Sequence, residues 1–207
     1  MNINVRCAGR FITLTNQIGS GGEGDVYQHP TEPAQVIKLF KESNRRVKAE
    51  KVAAMLELVG EQNTGFATFP LSLVMNDSAQ VVGYAMPKVM QSEPINDLLS
   101  NQQRKKTFPD SDYRFLVRVA LNTARAVATI HKFGCVIGDI NSSGIFVSQA
   151  GLVTLIDADS FQFTHAGKLY PCTVGTGEYT PPELQGVDFR MVERLHDHDA
   201  FGLATML

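Results

Sequence analysis

The first forty residues alternate apolar and polar side chains: Phe11, Ile12 and Leu14, then Val26 and Tyr27, then Val36, Ile37 and Leu39. Glycines between positions 19 and 24, with Pro30 and Pro33, interrupt the alternation. A period of two broken by such residues predicts antiparallel strands joined by tight connections. Over residues 44–59 the pattern turns to helix formers, with Val52, Met55, Leu56 and Val59 on one face and Gly60 as the stop. Residues 66–74 and 81–90 are apolar stretches separated by Met75-Asn76-Asp77-Ser78, which predicts a further hairpin.

Beyond Gln91 the character changes. Ile95, Leu98 and Leu99 predict a short helix, and residues 113–133 a long one whose inward positions include Phe115, Leu116, Val119, Ala120, Thr123, Val127 and Ile130. The basic run Gln102-Gln103-Arg104-Lys105-Lys106 between them reads as a solvated loop. Ile145-Phe146-Val147 and Leu152-Val153-Thr154-Leu155-Ile156, with Gln149-Ala150-Gly151 between, predict a small hairpin with acidic residues at its two ends. The expected organisation is a β-rich lobe over residues 1–90, carrying one main helix, and a mainly helical lobe over residues 91–207, an α+β arrangement. There is no internal repeat.

Composition narrows the picture. The 207 residues, 43% of them apolar, can bury a core for one domain or two small lobes. Nineteen Lys and Arg against 21 Asp and Glu leave a net charge of -2, which gives no drive toward nucleic acid or an anionic membrane. Cys7, Cys135 and Cys172 are odd in number and lack metal-type spacing, so reduced thiols in a cytoplasmic protein are expected. No apolar run reaches the ~18 residues of a membrane span, and the start, with Asn2, Asn4 and Arg6, lacks the apolar region of a signal peptide.

The chemistry concentrates in a few segments. Ile18-Gly19-Ser20-Gly21-Gly22-Glu23-Gly24-Asp25-Val26 contains Gly-x-Gly-x-x-Gly. A dinucleotide fold needs a helix directly after those glycines, whereas Val26-Tyr27, Pro30 and Pro33 favour a hairpin. Such a hairpin tip can lay backbone N–H groups over phosphate oxygens because no Cβ intervenes; otherwise it is an ordinary turn. Lys38, twelve residues after Val26, lies in the apolar Val36-Ile37-Lys38-Leu39. It either neutralises nucleotide phosphates or guards a sheet edge. Further on, Val136-Ile137-Gly138-Asp139-Ile140-Asn141 is followed by Leu155-Ile156-Asp157-Ala158-Asp159, with Asp157 eighteen residues after Asp139.

This series, continued by Gly175-Thr176, Tyr179-Thr180-Pro181-Pro182-Glu183-Leu184 and the pair Asp197 and Gly202, resembles the protein-kinase superfamily over residues 12–207. Its wording is similar to a bacterial subgroup of Ser/Thr kinase-like domains often fused to helix-hairpin-helix or other accessory domains. The resemblance implies a bilobal kinase-like fold that binds ATP with Mg2+ and transfers phosphate to Ser/Thr hydroxyls of a protein substrate or regulatory partner. It implies Asp139 as the residue that takes the hydroxyl proton, Lys38 as the phosphate lysine and Asp157 as the Mg2+ ligand. Nucleotide contacts are implied at Ile18, Gly19, Gly21, Gly24 and Val26 of the glycine segment. Others fall on Lys38, on Glu50 as its helix partner with Glu57 as the alternative, and on Met86 and Val89. Thr176 should contact Asp139, and Asp197 with Gly202 should anchor the last helix.

Several positions depart from the family pattern. The family carries Asn as a second metal ligand five residues after the catalytic Asp, where this chain has Gly144, and Asn141 stands nearby. Ile137 and Gly138 replace His-Arg before Asp139, which removes the arginine that clamps a phosphorylated activation segment. Thr173 and Thr176 are the modification candidates there. These departures keep open a pseudokinase that binds nucleotide or acts as a scaffold; a small-molecule phosphotransferase would lack residues 175–183. The chain ends at Leu207, where a kinase continues through further helices, so the C-lobe is expected to be incomplete. Phe201, Leu203 and Leu207 would then form an exposed patch prone to association. His131, His196 and His198 are expected to cap helices or bond locally rather than hold metal.

Overall fold

The computed structural model describes residues 2–60 and 65–207. They form two compact units, one of residues 2–60 and 68–88, the other of residues 65–67 and 89–207.

In the first unit the alternating pattern becomes a seven-stranded antiparallel sheet. Its strands are β1 (Ile3–Cys7), β2 (Arg10–Leu14), β3 (Gln17–Ser20), β4 (Gly24–Gln28), β5 (Gln35–Phe40), β6 (Ser72–Met75) and β7 (Val81–Pro87). The order across the sheet is β2-β1-β6-β7-β5-β4-β3. The expected strand at 66–74 is therefore shorter, and residues 65–67 belong to the other unit, where Ala67 pairs with Leu155. One sheet face buries Val5, Leu14, Tyr27, Ile37, Val74 and Ala85. The other buries Val36, Phe40, Tyr84 and Met86 with Val52 of helix α1 (Arg45–Val59). Two residues either side of Lys38, Val36 and Phe40 lie on this helix-covered face, so the pleat directs the lysine there too.

Lys38 sits mid-strand, opposite Val26 on β4 and Tyr84 on β7. Its strand is interior, which excludes the edge-guarding role. The glycine segment is the β3–β4 hairpin with no helix after it, and the Gly21 N–H donates to the Gly24 carbonyl at 2.9 Å. Glycine is required beside Lys38 by close backbone approach. A Cβ on Gly83 would lie 2.2 Å from the Lys38 carbonyl oxygen.

The second unit begins with β8 (Ser92–Pro94), α2 (Asn96–Leu99), α3 (Asn101–Thr107) and α4 (Tyr113–Lys132). Then come β9 (Cys135–Val136), β10 (Ile145–Ser148), β11 (Val153–Leu155), β12 (Gln162–His165), β13 (Lys168–Tyr170) and α5 (His196–Met206). Its two small sheets run β11-β10-β8 and β13-β12-β9. The amphipathic α4 buries Phe115, Val119, Thr123, Val127 and Ile130, and Asp112 caps it by accepting from the Phe115 N–H at 2.7 Å. The basic run is helical, not a loop. Gln, Arg and Lys have high helix propensity, Ser100 accepts from the Gln103 N–H, and the cations fall in the last turn of α3, where they face the negative end of its dipole.

Among the described residues, no helix is long and apolar enough to cross a membrane. All three cysteines are buried, and none is in a disulfide.

Gly83→Ala should push the Lys38 strand aside and destabilise the first unit by about 1–3 kcal/mol, the usual cost of overpacking, read from urea unfolding.

Candidate functional site

In the first unit the glycine hairpin and the strand lysine are tied by charge. Lys38 is 4% exposed, and an ammonium that dry needs an anion. Glu23, at the hairpin tip, places one carboxylate oxygen 3.7 Å from the Lys38 Nζ and the other 2.6 Å from the Nζ of Lys48 on α1. The hairpin is braced from its other side. Lys41 donates to both Asp25 oxygens at 2.7 and 2.8 Å, and Ser20 Oγ donates to Asp25 at 2.6 Å. The Lys41 bond, helped by Ser20, holds the Asp25 carboxyl below its ordinary range.

This unit thus gathers Ile18, Gly19, Gly21, Gly24, Val26 and Lys38. Gly19 pairs with Val26, and Val26 with Lys38. Met86 is buried in the cluster with Val36 and Phe40, on the helix-covered face, while Glu50 is exposed on α1. Val89 belongs to the second unit. Glu23 was not anticipated from the sequence, although it is the acid inside the glycine run.

In the second unit the loop between β9 and β10 presents Asp139, whose Oδ1 accepts from Thr176 Oγ1 at 2.8 Å. The expected contact is there, and it connects this loop to the segment after β13. Asn141 folds back on its own loop. Its amide donates to the Asp139 carbonyl at 3.0 Å, and its Oδ1 accepts from the Ser143 and Gly144 N–H groups at 3.0 and 2.9 Å. Both ends of the side chain are used in this Asx turn, so it does not replace the missing amide at position 144. A Cβ on Gly144 would meet Asn141 at 3.6 Å, ordinary contact, so a side chain fits.

The Gly144 carbonyl accepts from the Ile156 N–H at 2.9 Å, which brings the loop against the residue before Asp157. Asp157 is exposed in the left-handed region at φ 57°, and its carbonyl is held by the Ser160 N–H and Oγ at 2.9 and 2.8 Å. Asp is among the non-glycine residues that enter this region most readily. Asp159 is fully buried in the turn that follows.

The acid that anchors the last helix is Asp199, not Asp197. Asp199 is 2% exposed and accepts from the Ile137 and Gly138 N–H groups at 2.7 and 2.8 Å, with His131 Nε2 also at 2.8 Å. Asp197 is exposed. Helix geometry gives the reason. Asp199 precedes Gly202 by three residues, about 60° apart around α5, whereas Asp197 lies about 140° away. His131, at the end of α4, also stacks on His196 at 4.0 Å, and His198 accepts from the Leu195 N–H at 2.9 Å, a local cap. Among the described residues no group of three or more His, Cys, Asp or Glu could hold a metal ion.

The family model described as protein kinase domain matches residues 12–207. The chain is similar to "Protein kinase YegI" of Escherichia coli (strain K12), 36% identical over 201 residues, which is 96% of this chain and 31% of that protein. It is also similar to the mouse (Mus musculus) "Serine/threonine-protein kinase Nek3", 31% identical over 119 residues, 56% of this chain and 22% of that one. It therefore spans about a third or less of the length of these relatives. Among solved structures, a chain titled "ROP18 kinase domain in complex with AMP-PNP and sucrose" shares the fold, with TM-score 0.65 and 17% identity over all of this chain and 66% of that one.

Asp199→Ala leaves the buried Ile137 N–H and the half-buried Gly138 N–H without their charged acceptor, and we expect a loss of about 3–5 kcal/mol in urea unfolding. Asp197→Ala should stay within about 0.5 kcal/mol of the parent.

Proposed function

Because the chain belongs to the protein kinase family, we propose that it transfers the terminal phosphoryl group of ATP, with Mg2+, to Ser or Thr hydroxyls of a protein substrate. The observation that carries this reading is the bond from Thr176 to Asp139, which leaves the second carboxylate oxygen to accept the proton of an incoming hydroxyl. Asp139 aims that hydroxyl, the Lys38 ammonium attracts the nucleotide phosphates, and the glycine hairpin offers N–H groups to them. The resemblance to a named Ser/Thr kinase supports the hydroxyl preference.

The residues present suit one Mg2+. Asp157 offers a hard, exposed oxygen, which with phosphate oxygens and water meets that ion's preference. The ion, when bound, would neutralise charge building on the phosphates. Gly144 supplies no second ligand, and Asn141 is spent on its turn. That observation favours a second reading, a nucleotide-binding pseudokinase with little transfer.

The test measures Mg2+-dependent ATP binding by calorimetry and transfer to the protein itself or to a generic basic protein. Asp139→Ala should abolish transfer and spare binding, while Lys38→Ala and Asp157→Ala should weaken binding. The reverse pattern, or no ATP binding by the parent, sinks both readings. Gly144→Asn should raise transfer up to about 10²-fold, ~2.7 kcal/mol of barrier, if the missing ligand limits the rate. Parent turnover near zero that this variant restores marks the pseudokinase.

Glu23→Gln removes one anion that competes with phosphate for Lys38. Calorimetry should show ATP binding tighter by about fivefold, the scale of one partly exposed ion pair.

A further inference from the structure

Arg194 is 2% exposed, and among the described residues no carboxylate lies within ion-pairing distance of its guanidinium. A buried cation without an acid is costly and persists only where other groups hold it. Here one NH2 group donates to the Gly138 carbonyl at 3.0 Å and the other to the Val174 carbonyl at 3.1 Å. The guanidinium carbon lies 3.8 Å from the centre of the Phe189 ring, and Nε has no partner. Gln162 fixes the residue's main chain from β12, accepting from its N–H at 2.8 Å and donating to its carbonyl at 2.7 Å.

The two carbonyls are informative by position. Gly138 directly precedes Asp139, and Val174 comes two residues before Thr176, so the arginine spans the same two segments as the Thr176–Asp139 bond. Their glycines are sockets for this arrangement. Gly138 has φ +76°, and a Cβ there would lie 2.6 Å from the Cys172 Cβ. On Gly175 a Cβ would lie 2.5 Å from Phe189 and 2.9 Å from Arg194. The position before Asp139 therefore has no room for a side chain, and the cation that the loop lacks there arrives from Arg194 instead. Lifting the segment away would strip Arg194 of a carbonyl while leaving its charge buried.

We propose that Arg194 is a positioning residue, a built-in clamp that orders residues 172–176 against the Asp139 loop so that transfer does not depend on phosphorylation of that segment. A phosphate is not what the clamp awaits, since Arg194 is buried and each of its NH2 groups already holds a main-chain oxygen. Phosphate on Thr176 would remove the hydroxyl proton that Asp139 accepts and set two anions side by side. The inference deepens the phosphoryl-transfer reading and rests on it for its kinetic part.

The test compares the parent with Arg194→Met, Arg194→Lys and Phe189→Leu by hydrogen exchange of residues 172–180, ATP affinity and steady-state transfer. Arg194→Met should speed exchange in that segment by about tenfold or more. It should lower kcat by about 10-fold to 100-fold and leave ATP affinity within about twofold. Arg194→Lys should recover part of both effects, because one ammonium keeps the charge but does not match the fork. Phosphatase treatment of the parent should leave kcat unchanged. Unchanged exchange and kcat in Arg194→Met, or loss of transfer after phosphatase, overturns the clamp. If Arg194→Met does not fold, Phe189→Leu, which keeps both hydrogen bonds, decides: faster exchange supports the clamp and parent-like exchange overturns it. A parent that neither binds ATP nor transfers phosphate sinks the kinase reading, while the exchange data still decide the clamp.

Discussion

A carboxylate removed from water must find donors, and in the second unit that constraint organises everything around Asp139. Asp199 meets it with the N–H groups of Ile137 and Gly138 and the ring of His131. Charge-assisted bonds to main-chain N–H groups are among the stronger contacts a protein makes, and these two belong to the residues just before Asp139. The loop backbone is thereby fixed to α5 and, through His131, to the end of α4. The direction of the Asp139 side chain follows from that anchorage, with Thr176 completing it from the far side.

The first unit solves the mirror problem, an ammonium held away from water. Lys38 is buried by sheet neighbours that approach closely because glycines flank it, and Glu23 supplies negative charge from the hairpin tip. One carboxylate thus joins the hairpin to the strand and, through Lys48, to α1. Asp25 and Lys41 perform the same service on the opposite side of the hairpin. A flexible glycine-rich turn is given a defined shape by ion pairs, without apolar packing of its own.

Much of this was legible in the chain. The period-two stretches became β2, β4 and β5, the long amphipathic pattern became α4 within one residue of its expected end, and the acidic hairpin became β10 and β11. Lys38, Asp139, Asp157 and Thr176 stood out because chemistry restricts them to particular residue types at particular spacings. The errors have physical causes. Polarity alone makes the charged run a loop, whereas the helix propensity of its residues and the Ser100 cap make it a helix. Family spacing points to Asp197, five residues before Gly202, but rotation around the helix brings Asp199 to the loop instead. Arg194 carried no local signal at all, since its partners lie 20 and 56 residues away.

Residue order alone therefore determined the sheet of the first unit, the long helix, the family and most of the side chains with chemistry to offer, because periodicity, turn residues and motif spacing are local properties. Which acid is buried, which cation holds the segment beside Asp139, and why no side chain fits at position 138 were decided only when distant segments packed. Burial turns an ordinary Asp or Arg into a group that must be satisfied, and burial is a property of the fold.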